Sequence, residues 1–431
     1  MGHSESFYSF FKMFEEGGIV EKKIKEKIFE KIKEEKEDIV KILENLVKIP
    51  TQNPPGENYE ELVMRAKGYL DEKGIKTKIV RIPNRFAKDF IENPQEYPRF
   101  ILLAELKKGK PTIHFNGHYD VVPAGGGWDL DPFSGKIVDG KLYGRGASDM
   151  KGGIASIIGT LRILSEFEDY LDVGINASLV PDEETTSMGT KYLTQKSLIN
   201  ADYAIITEPT SLKSIDIGCK GGIWMQVCIK GKAAHASRPW LGENAFEKGV
   251  LLAHAILTEL KPKITARESR REFHDQNSKR ATMELGGYVK GGNKGNVVPG
   301  EFYFSIDRRV LPDEDVQGAY NEIVEFIEGK SKELGLSYKV VVEDIENSYV
   351  MQGDKSIVNT ISQITESITG VQPRVGVKTG FTEMALFGAK GIKALTFGPG
   401  DENLAHVANE YIEIQQLLDS VKIFSTFLLR V

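Results

Sequence analysis

Up to Glu208, apolar positions alternate between strand-like and helix-like spacing. Short apolar runs are separated by segments in which apolar residues recur every three or four positions. The predicted helices are Lys22–Val47, Tyr59–Lys73, Gly152–Phe167 and Gly189–Leu198, and the predicted strands are Lys76–Arg81, Phe100–Glu105, Thr112–Phe115, Val173–Val180 and Ala201–Thr207. This alternation favours an α/β domain with a mixed, mostly parallel sheet covered by helices on both faces.

Beyond Glu208 the order becomes strand–helix–strand–strand–helix–strand, which is typical of a compact α+β, ferredoxin-like unit. Its predicted elements are β runs within Ile215–Ile229, helices at Asn244–Leu260 and Glu314–Leu334, and strands at Ala281–Val289, Glu301–Val310 and Leu336–Val342. From about Asn347 the first pattern resumes, with helices at Ser356–Thr369 and Ile414–Leu429 and strands near Arg374 and Lys393–Phe397. We therefore predict a discontinuous α/β domain formed by residues 1–213 and 348–431, interrupted by an inserted domain at 214–347. Residues 1 to about 20 are aromatic and irregular.

The composition is that of an ordinary globular protein, with 431 residues, 40% of them hydrophobic and 27% charged. This length favours two domains. The formal net charge of −6 argues against a nucleic acid or an anionic membrane as partner, because both need a basic surface. Cys219 and Cys228 are an odd number of positions apart, so on one strand they face opposite sides. We expect reduced thiols, neither signal peptide nor spanning helix, and a cytoplasmic protein.

His118 and Asp120 follow an apolar run of strand length. Side chains two positions apart on extended backbone point the same way. Because metal-bound histidines commonly need a carboxylate on the other ring nitrogen, His118 could bind a metal while Asp120 orients it. A surface histidine beside a turn aspartate is the plainer interpretation of this pair alone.

Asp149 lies in GRGASDMKGG, between glycines and before a predicted helix. It could simply cap that helix. With two oxygens, it could also bridge two cations where loops converge at strand ends.

Glu183 and Glu184 are adjacent carboxylates after the apolar run LVP, and they repel each other unless a metal or a proton holds them. One could bind metal while the other takes a proton from water. Glu208 ends another apolar strand, and His406 lies in the loop GPGDENLAHVANE. Alone, each is typical of an exposed turn or a structural histidine. Together they favour a two-metal hydrolase site at the carboxyl ends of the strands, with Zn²⁺, or alternatively Co²⁺ or Mn²⁺.

A series of motifs runs through the chain in fixed order: GHYDVVP, DGKLYGRGASDMKGG, PDEE, TEPT, GKAAHASRP, NVVPG and AHVANE. Over about residues 45 to 431, this series closely resembles the amidohydrolase and peptidase family of acetylornithine deacetylase, succinyl-diaminopimelate desuccinylase, aminoacylase and glutamate carboxypeptidase. Ordered motifs are far more specific than a lone glycine pattern. The resemblance implies that the discontinuous domain is catalytic, that the inserted domain is a lid, and that the protein is a homodimer through the lid.

The resemblance also implies roles for individual residues. These are His118 and Glu208 on one zinc, Glu184 and His406 on the other, Asp149 as the bridge, Glu183 as general base and Asp120 as the orienting carboxylate.

In the lid, His235 resembles the family histidine that hydrogen-bonds the tetrahedral oxyanion, and Asn296 resembles its polar partner. Arg309 falls where the family keeps an arginine for the substrate carboxylate, with Arg308 as the competing choice. Fixed donors suit an oxyanion, and an arginine grips a carboxylate bidentately. A surface charge on a strand is the alternative for Arg309.

One stretch departs from the family pattern. Many members carry a glycine-threonine-serine-aspartate loop followed by arginine before the final strand. Here residues 378–386 read KTGFTEMAL, and we expect Lys378 to supply a replacement cation. The departure puts the usual substrate assignment in question.

The leading hypothesis is a dinuclear zinc hydrolase that cleaves the amide bond of an N-acyl amino acid. A metallo-dipeptidase or carboxypeptidase is the alternative within the same chemistry, because these enzymes also cut an amide near a free carboxylate. A non-catalytic binding protein on this scaffold is disfavoured, because every matched metal and base position is filled. The glycine-rich stretch 291–295 is not followed by the glycine-lysine-serine or glycine-lysine-threonine sequence of a phosphate loop, so we interpret it as a turn of the lid.

Overall fold

The computed structural model describes residues 21–431, and the aromatic stretch at the N-terminus lies outside them. The helices are α1 (21–34), α2 (Lys36–Val47), α3 (Tyr59–Asp71), α4 (Asn84–Ala87), α5 (Lys151–Leu164), α6 (Met188–Gln195), α7 (Ala245–Ala255), α8 (Lys261–Thr265), α9 (Val316–Glu333), α10 (Ser356–Thr369), α11 (Met384–Gly388) and α12 (Ile414–Arg430). The strands are β1 (Lys76–Arg81), β2 (Phe100–Lys107), β3 (Thr112–His118), β4 (Ile137–Val138), β5 (Lys141–Tyr143), β6 (Gly174–Val180), β7 (Tyr203–Ile206), β8 (Ser214–Cys219), β9 (Gly221–Lys230), β10 (Ala234–His235), β11 (Thr282–Gly291), β12 (Val297–Val298), β13 (Glu301–Val310), β14 (Ser337–Glu346), β15 (Tyr349–Val350), β16 (Arg374–Lys378), β17 (Lys393–Thr396) and β18 (Tyr411–Glu413).

These elements form two compact units. The first comprises, among the described residues, 21–215, Gln352–Val375 and Leu386–Val431, and the second comprises Asp216–Met351 and Gly376–Ala385. Within residues 21–431, no helix is long and apolar enough to cross a membrane.

The first unit contains a mixed sheet in which strands pair in the order β1-β2-β6-β3-β7-β17. The pairs of β2 with β1 and with β6 are antiparallel, whereas β3 pairs in parallel with β6 and β7, and β7 pairs in parallel with β17. Four neighbouring strands therefore point the same way, and their carboxyl ends lie at one edge of the sheet.

Helices cover both faces of this sheet. Adjacent residues of a strand point to opposite faces, and in β3 the ring of Phe115 packs 5.1 Å from that of Phe424 in α12, while His114 lies 5.6 Å from Phe387 in α11. All seven residues of β3 are buried, as are all 14 of α5, which packs against β3, α12 and α2. β3 nevertheless carries polar residues among its apolar ones, and its buried His114 is paired inside the sheet, with Nδ1 2.5 Å from Oδ1 of Asn176 and Nε2 2.8 Å from Oγ of Ser178.

The second unit has a four-stranded antiparallel sheet in the order β11-β13-β9-β14, with α7 and α9 in the connections. Its core is formed by one face of the sheet and the apolar stripes of these helices, including Ile229, Leu252, Phe304, Ile323 and Ile327. Numbered by chain position within the unit, the strand order is 2-3-1-4, which is the ferredoxin-like arrangement.

The predicted fold class is confirmed, and several element boundaries coincide with the predictions, among them β1 and α10. The predicted helix Lys22–Val47 is interrupted by a turn at Glu35. The predicted helix Asn244–Leu260 is α-helical only to Ala255 and continues as a π-helix over Ile256–Leu260.

Segment 376–385 groups with the second unit, whereas the predicted boundaries placed it in the α/β domain. The reason is local pairing that the sequence pattern does not reveal. The N–H of Val377 donates to the carbonyl of Glu272 at 2.8 Å, the Val377 side chain joins the second core, and the hydroxyls of Thr379 and Ser278 lie 2.8 Å apart.

Candidate metal centre

The ends of the parallel strands bring the candidate side chains to one edge of the sheet. His118 is the last residue of β3, the pair Glu183–Glu184 follows β6, and Glu208 follows β7. Asp149 stands just before α5, whose first turn lies directly against the residue before Glu208. A Cβ at Gly153 would sit 2.1 Å from the carbonyl oxygen of Thr207, so only glycine allows this approach.

Asp149 lies between two histidines. Its Oδ1 is 3.2 Å from Nε2 of His118, and its Oδ2 is 3.5 Å from Nε2 of His406. Each carboxylate oxygen therefore faces a different imidazole, which is the arrangement that a bridging ligand requires.

The three glutamates complete the cluster. Nε2 of His406 is 2.9 Å from Oε2 of Glu184, while Nε2 of His118 is 3.7 Å from Oε1 of Glu208 and 3.9 Å from Oε2 of Glu183. His118 and the carboxylates are largely buried, whereas the side chain of His406 is 53% exposed. Among the described residues, two groups could hold a metal ion, namely His118 with Glu183 and Glu208, and His118 with Asp149 and Glu184.

Asp120 is fully buried beneath the cluster and accepts hydrogen bonds from consecutive backbone amides. The N–H of Glu183 donates to Oδ1 at 3.1 Å and that of Glu184 to Oδ2 at 3.2 Å. The nearest acceptor to Nδ1 of His118 is the backbone carbonyl of Asp120 at 3.0 Å, with Oδ1 at 3.6 Å. The carboxylate therefore holds the backbone of the glutamate pair, and the carbonyl of the same residue orients the histidine.

A second buried layer supports Asp120. Nδ2 of Asn53 lies 3.0 Å from Oδ2 of Asp120, from Oδ1 of Asp182 and from Oγ1 of Thr185. Asp182 in turn pairs with the buried Arg99, whose Nε is 2.8 Å from Oδ2. This network links the chain before β1 to the loop that carries the glutamate pair.

Glu410 plays a comparable part beside Asp149. It is fully buried, and its Oε1 accepts the backbone N–H groups of Ser148 and Asp149 at 2.8 and 3.0 Å. Its Oε2 accepts the N–H of Gly146 at 3.0 Å and Nη1 of Arg145 at 2.6 Å.

The pKa values of the cluster are shifted because its ionisable groups are buried close to one another. Burial and the neighbouring charge of Asp149 raise the pKa of Glu184 to about 7. Hydrogen bonds with Asp149 and Glu184 raise the pKa of His406 to about 10. Burial disfavours the charged form of Asp149, but hydrogen bonds with His118 and His406 outweigh it and hold its pKa well below the usual range. The imidazoles thus hold protons between the carboxylates, in positions that a cation could take.

Comparison with known proteins identifies the family. The family model described as Peptidase family M20/M25/M40 matches residues 114–430, which is well over half of the chain. The chain belongs to this M20 family. It is a metal-dependent amidohydrolase, as predicted.

Relatives with functional names cover nearly the whole chain. It is 26% identical over 417 residues to a probable succinyl-diaminopimelate desuccinylase of Staphylococcus aureus strain MSSA476, covering 90% of this chain and 96% of that protein. It is 30% identical over 376 residues to an acetylornithine deacetylase of Photorhabdus laumondii subsp. laumondii, covering 85% and 89%. Its fold matches an M20 family metallo-carboxypeptidase, Sso-CP2, from Sulfolobus solfataricus, with a TM-score of 0.75, 19% identity and coverage of 91% and 98%.

The side chains of this M20 member suit divalent cations. The cluster offers only imidazole nitrogens and carboxylate oxygens, the donors that Zn²⁺, Co²⁺ and Mn²⁺ accept. The oxygens of Asp149 face different histidines, and Glu184 is held close to His406. The donor set therefore fits divalent cations.

His235 and Asn296 belong to the second unit of this M20 protein, where β10 and β12 bring them near each other. The N–H of Ala236 donates to the carbonyl of Asn296 at 2.9 Å. Nδ1 of the exposed His235 accepts the N–H of Ser237 at 3.1 Å, so in the neutral ring Nε2 carries the proton.

Arg309, Arg308 and Lys378 also lie in the second unit. Arg309 makes a bidentate pair with Asp307, at 2.8 and 3.0 Å, and stacks over the ring of Trp224. Arg308 is fully buried and pairs with both oxygens of Glu314, at 2.7 and 2.8 Å. Lys378 is half-buried at the end of β16. Both arginines thus already hold a carboxylate within their own unit.

The sequence interpretation missed the buried residues that support the candidate ligands. Glu410 and Asp182 stand inside the motifs AHVANE and PDEE, so their place beside candidate ligands could have drawn attention to them. Asn53 lies in a proline-rich turn, which by itself indicates only a connecting loop. The sequence around Arg99 does not indicate a role at the site.

Proposed function

We propose that this protein is a dinuclear zinc hydrolase that removes the acyl group from an N-acyl amino acid. The observation that carries the proposal is the position of Asp149, with one oxygen towards His118 and the other towards His406. His118 and Glu208 would hold one cation, Glu184 and His406 would hold the other, and Asp149 would bridge them. Nitrogen and oxygen donors at these positions favour Zn²⁺, with Co²⁺ and Mn²⁺ as substitutes.

When bound, the two cations would supply Lewis acidity and lower the pKa of water at the site. Glu183 is the proposed general base. It lies at the edge of the cluster, with Oε2 3.9 Å from His118, and its side chain is 17% exposed, so it is accessible to water. Glu183 takes the proton from the attacking water and gives it to the leaving amine. Asp120 keeps the base in place, because it holds the backbone N–H of Glu183 at 3.1 Å.

The proposed substrate class rests on the relatives. The names of the relatives from Staphylococcus and Photorhabdus describe removal of a succinyl and an acetyl group, and the latter is 30% identical to this chain. The alternative is a dipeptidase or carboxypeptidase, favoured by the fold match to a metallo-carboxypeptidase. Both reactions break an amide near a carboxylate, so a substrate panel has to distinguish them.

His235 is the proposed donor to the oxyanion that forms at the attacked carbonyl, with Asn296 as its polar partner. The contact of Nδ1 with the N–H of Ser237 supports this role, since it leaves an N–H on Nε2. Arg309 is the proposed ligand of the substrate carboxylate. Its ion pair with Asp307 would have to be replaced by a pair with that carboxylate. The buried pairing of Arg308 with Glu314 favours Arg309 over Arg308. Lys378 is proposed as an additional cation for the substrate.

We further propose a homodimer formed through the second unit. Large apolar side chains are exposed along its surface between residues 240 and 257, including Trp240, Leu241, Phe246, Leu251 and Leu257. Exposed apolar side chains that lie close together in the chain, rather than singly, favour an interface. Sedimentation equilibrium would show a dimer that Trp240→Glu with Leu251→Glu converts to a monomer.

The test of the function is a panel assay on zinc-reconstituted protein with N-acetylornithine, N-succinyl-diaminopimelate, other N-acyl amino acids and short dipeptides. The wild-type protein is expected to prefer acyl amino acids. Glu183→Ala is expected to lose this activity while its metal content is unchanged. Preference for dipeptides would establish the peptidase alternative. A protein without metal and without activity on the panel would contradict the proposal and favour a binding protein.

A further inference from the structure

Glu410 provides no atom of the candidate metal cluster, yet four donors converge on its buried carboxylate. Three of these are the backbone N–H groups of Gly146, Ser148 and Asp149, and the fourth is Arg145. Each oxygen of Glu410 accepts two of these hydrogen bonds. The backbone leading up to Asp149 is therefore held by hydrogen bonds to one side chain from a distant part of the sequence.

The same glutamate lies four residues after His406. The loop between them contains two residues in the left-handed region, His406 with φ 63° and Asn409 with φ 60°. A non-glycine residue with a left-handed φ is strained, and it persists only where surrounding contacts hold it. The support comes from Asn409, whose amide exchanges two hydrogen bonds with Asp129 at 2.8 and 2.9 Å, and from Arg145, whose Nη1 lies 3.3 Å from the carbonyl of Val407.

A further contact joins the segment before Asp149 to the segment around His406. The hydroxyl of Ser148 accepts the N–H of Asp401 at 2.7 Å and lies 3.0 Å from its carbonyl oxygen. The segment before Asp149 and the segment around His406 are thus held together on both sides of the candidate ligands. By contrast, His118 and Glu208 stand at the ends of the neighbouring strands β3 and β7, whose spacing the sheet itself fixes.

We propose that Glu410 is a positioning residue that fixes the distance between Asp149 and His406, and thereby builds the cation position formed by Glu184 and His406. The inference rests on the proposed dinuclear function and goes beyond it. Only a carboxylate suits this position, because a glutamine would turn an amide N–H₂ towards N–H donors on one side. Changes to groups that hold metal ligands in place commonly cost 10- to 100-fold in metal affinity. Loss of Glu410 should therefore weaken one cation site selectively.

The test uses the full chain of Glu410→Gln, stripped of metal and titrated with Zn²⁺ in competition with a chromophoric chelator. The wild-type chain is expected to bind two equivalents. In Glu410→Gln, one site should weaken by about 10- to 100-fold, while the other stays within about threefold of wild type. Glu413→Gln is the matched control, because it removes an exposed carboxylate three residues along the same segment and should leave both affinities unchanged.

Asn409→Gly is a second variant in case Glu410→Gln does not fold. It removes the contacts with Asp129 and keeps a residue that tolerates positive φ, so it should weaken the same site by a smaller factor. If folded Glu410→Gln binds two Zn²⁺ with the affinities of the wild type, or if both sites weaken equally, the inference is wrong. The proposed dinuclear function would be unaffected by either result. A wild-type chain that binds no zinc would instead overturn the proposed function and this inference with it.

Discussion

Arg99 and Asp182 form an ion pair in the interior of the first unit, with Nε 2.8 Å from Oδ2 and side chains that are 1% and 0% exposed. Asp182 directly precedes the glutamate pair of the candidate site and adopts a left-handed φ of 66°. It also accepts hydrogen bonds from Tyr59 and Asn53. The loop that presents Glu183 and Glu184 is therefore anchored by a buried charge that depends on one arginine.

Replacing that arginine should destabilise the protein strongly. Arg99→Met leaves the Asp182 carboxylate buried without its cation, and breaking a buried pair in this way costs about 3–5 kcal/mol. Urea unfolding measures the change. Arg81→Met, at an exposed position on β1, is the control and should change the free energy of unfolding by less than about 0.5 kcal/mol. Similar midpoints for both variants would mean that the buried pair does not stabilise the fold.

The two adjacent glutamates should behave differently when each is neutralised. Glu183→Gln removes the proposed base, so kcat should fall by about 100- to 10,000-fold while metal content stays at the wild-type level. Glu184→Gln removes a proposed ligand, so metal content and activity should fall together. Activity assays paired with elemental analysis distinguish the cases, and loss of metal in Glu183→Gln would reverse the two assignments.

Lys220 should make the stability of the protein depend on pH in the alkaline range. Its Nζ is buried in the second unit against the carbonyl of Arg280 at 2.8 Å, and burial, followed by the charges of Arg308 and Arg309, lowers the pKa of Lys220 from 10.5 to about 8. Between these values the unfolded chain holds the proton more tightly than the folded chain. The free energy of unfolding should therefore rise with pH across this window, by at most about 1.4 kcal/mol per pH unit.

The Lys220 contribution can be isolated with a variant. Urea unfolding of Lys220→Met between pH 7.5 and 10.5 should show a smaller rise with pH than wild type, whereas the exposed Lys263→Met should follow wild type. Identical slopes for wild type and Lys220→Met would show that this lysine keeps its ordinary pKa in the folded protein.

Removal of metal should lower thermal stability. Bound cations would offset the burial and the repulsion from Asp149 that raise the pKa of Glu184. A ligand present at 100 times its Kd stabilises the folded state by about 2.7 kcal/mol for each site. A chelator should lower the melting temperature, and added Zn²⁺ should restore it. A melting temperature that is the same with chelator, without it and after zinc addition would argue against bound metal.

Much of the fold was predictable because local patterns agree with the structure. The predicted β1 and α10 have the observed bounds, since each is bounded by turn residues and carries a clear period. The interruption of the N-terminal helix at Glu35 and the π-helical turn after Ala255 were not predictable, because both break a pattern that continues in the sequence.

The candidate site was predictable from residues that follow strands, and its supporting residues were not. His118 is the last residue of β3, and Glu183 and Glu208 each lie within three residues of the end of a strand. Arg99 meets Asp182 across 83 positions, and Arg145 meets Glu410 across 265, so no local pattern connects them. Contacts of this range depend on how the strands and loops assemble.

Anomalous diffraction at the zinc edge, from crystals of the zinc-loaded protein, would locate the bound cations. Two anomalous peaks per chain are expected, one on each side of the Asp149 carboxylate, with His118 and Glu208 at one and Glu184 and His406 at the other. A map without peaks at these residues, or with zinc only at other positions, would contradict the two-metal site.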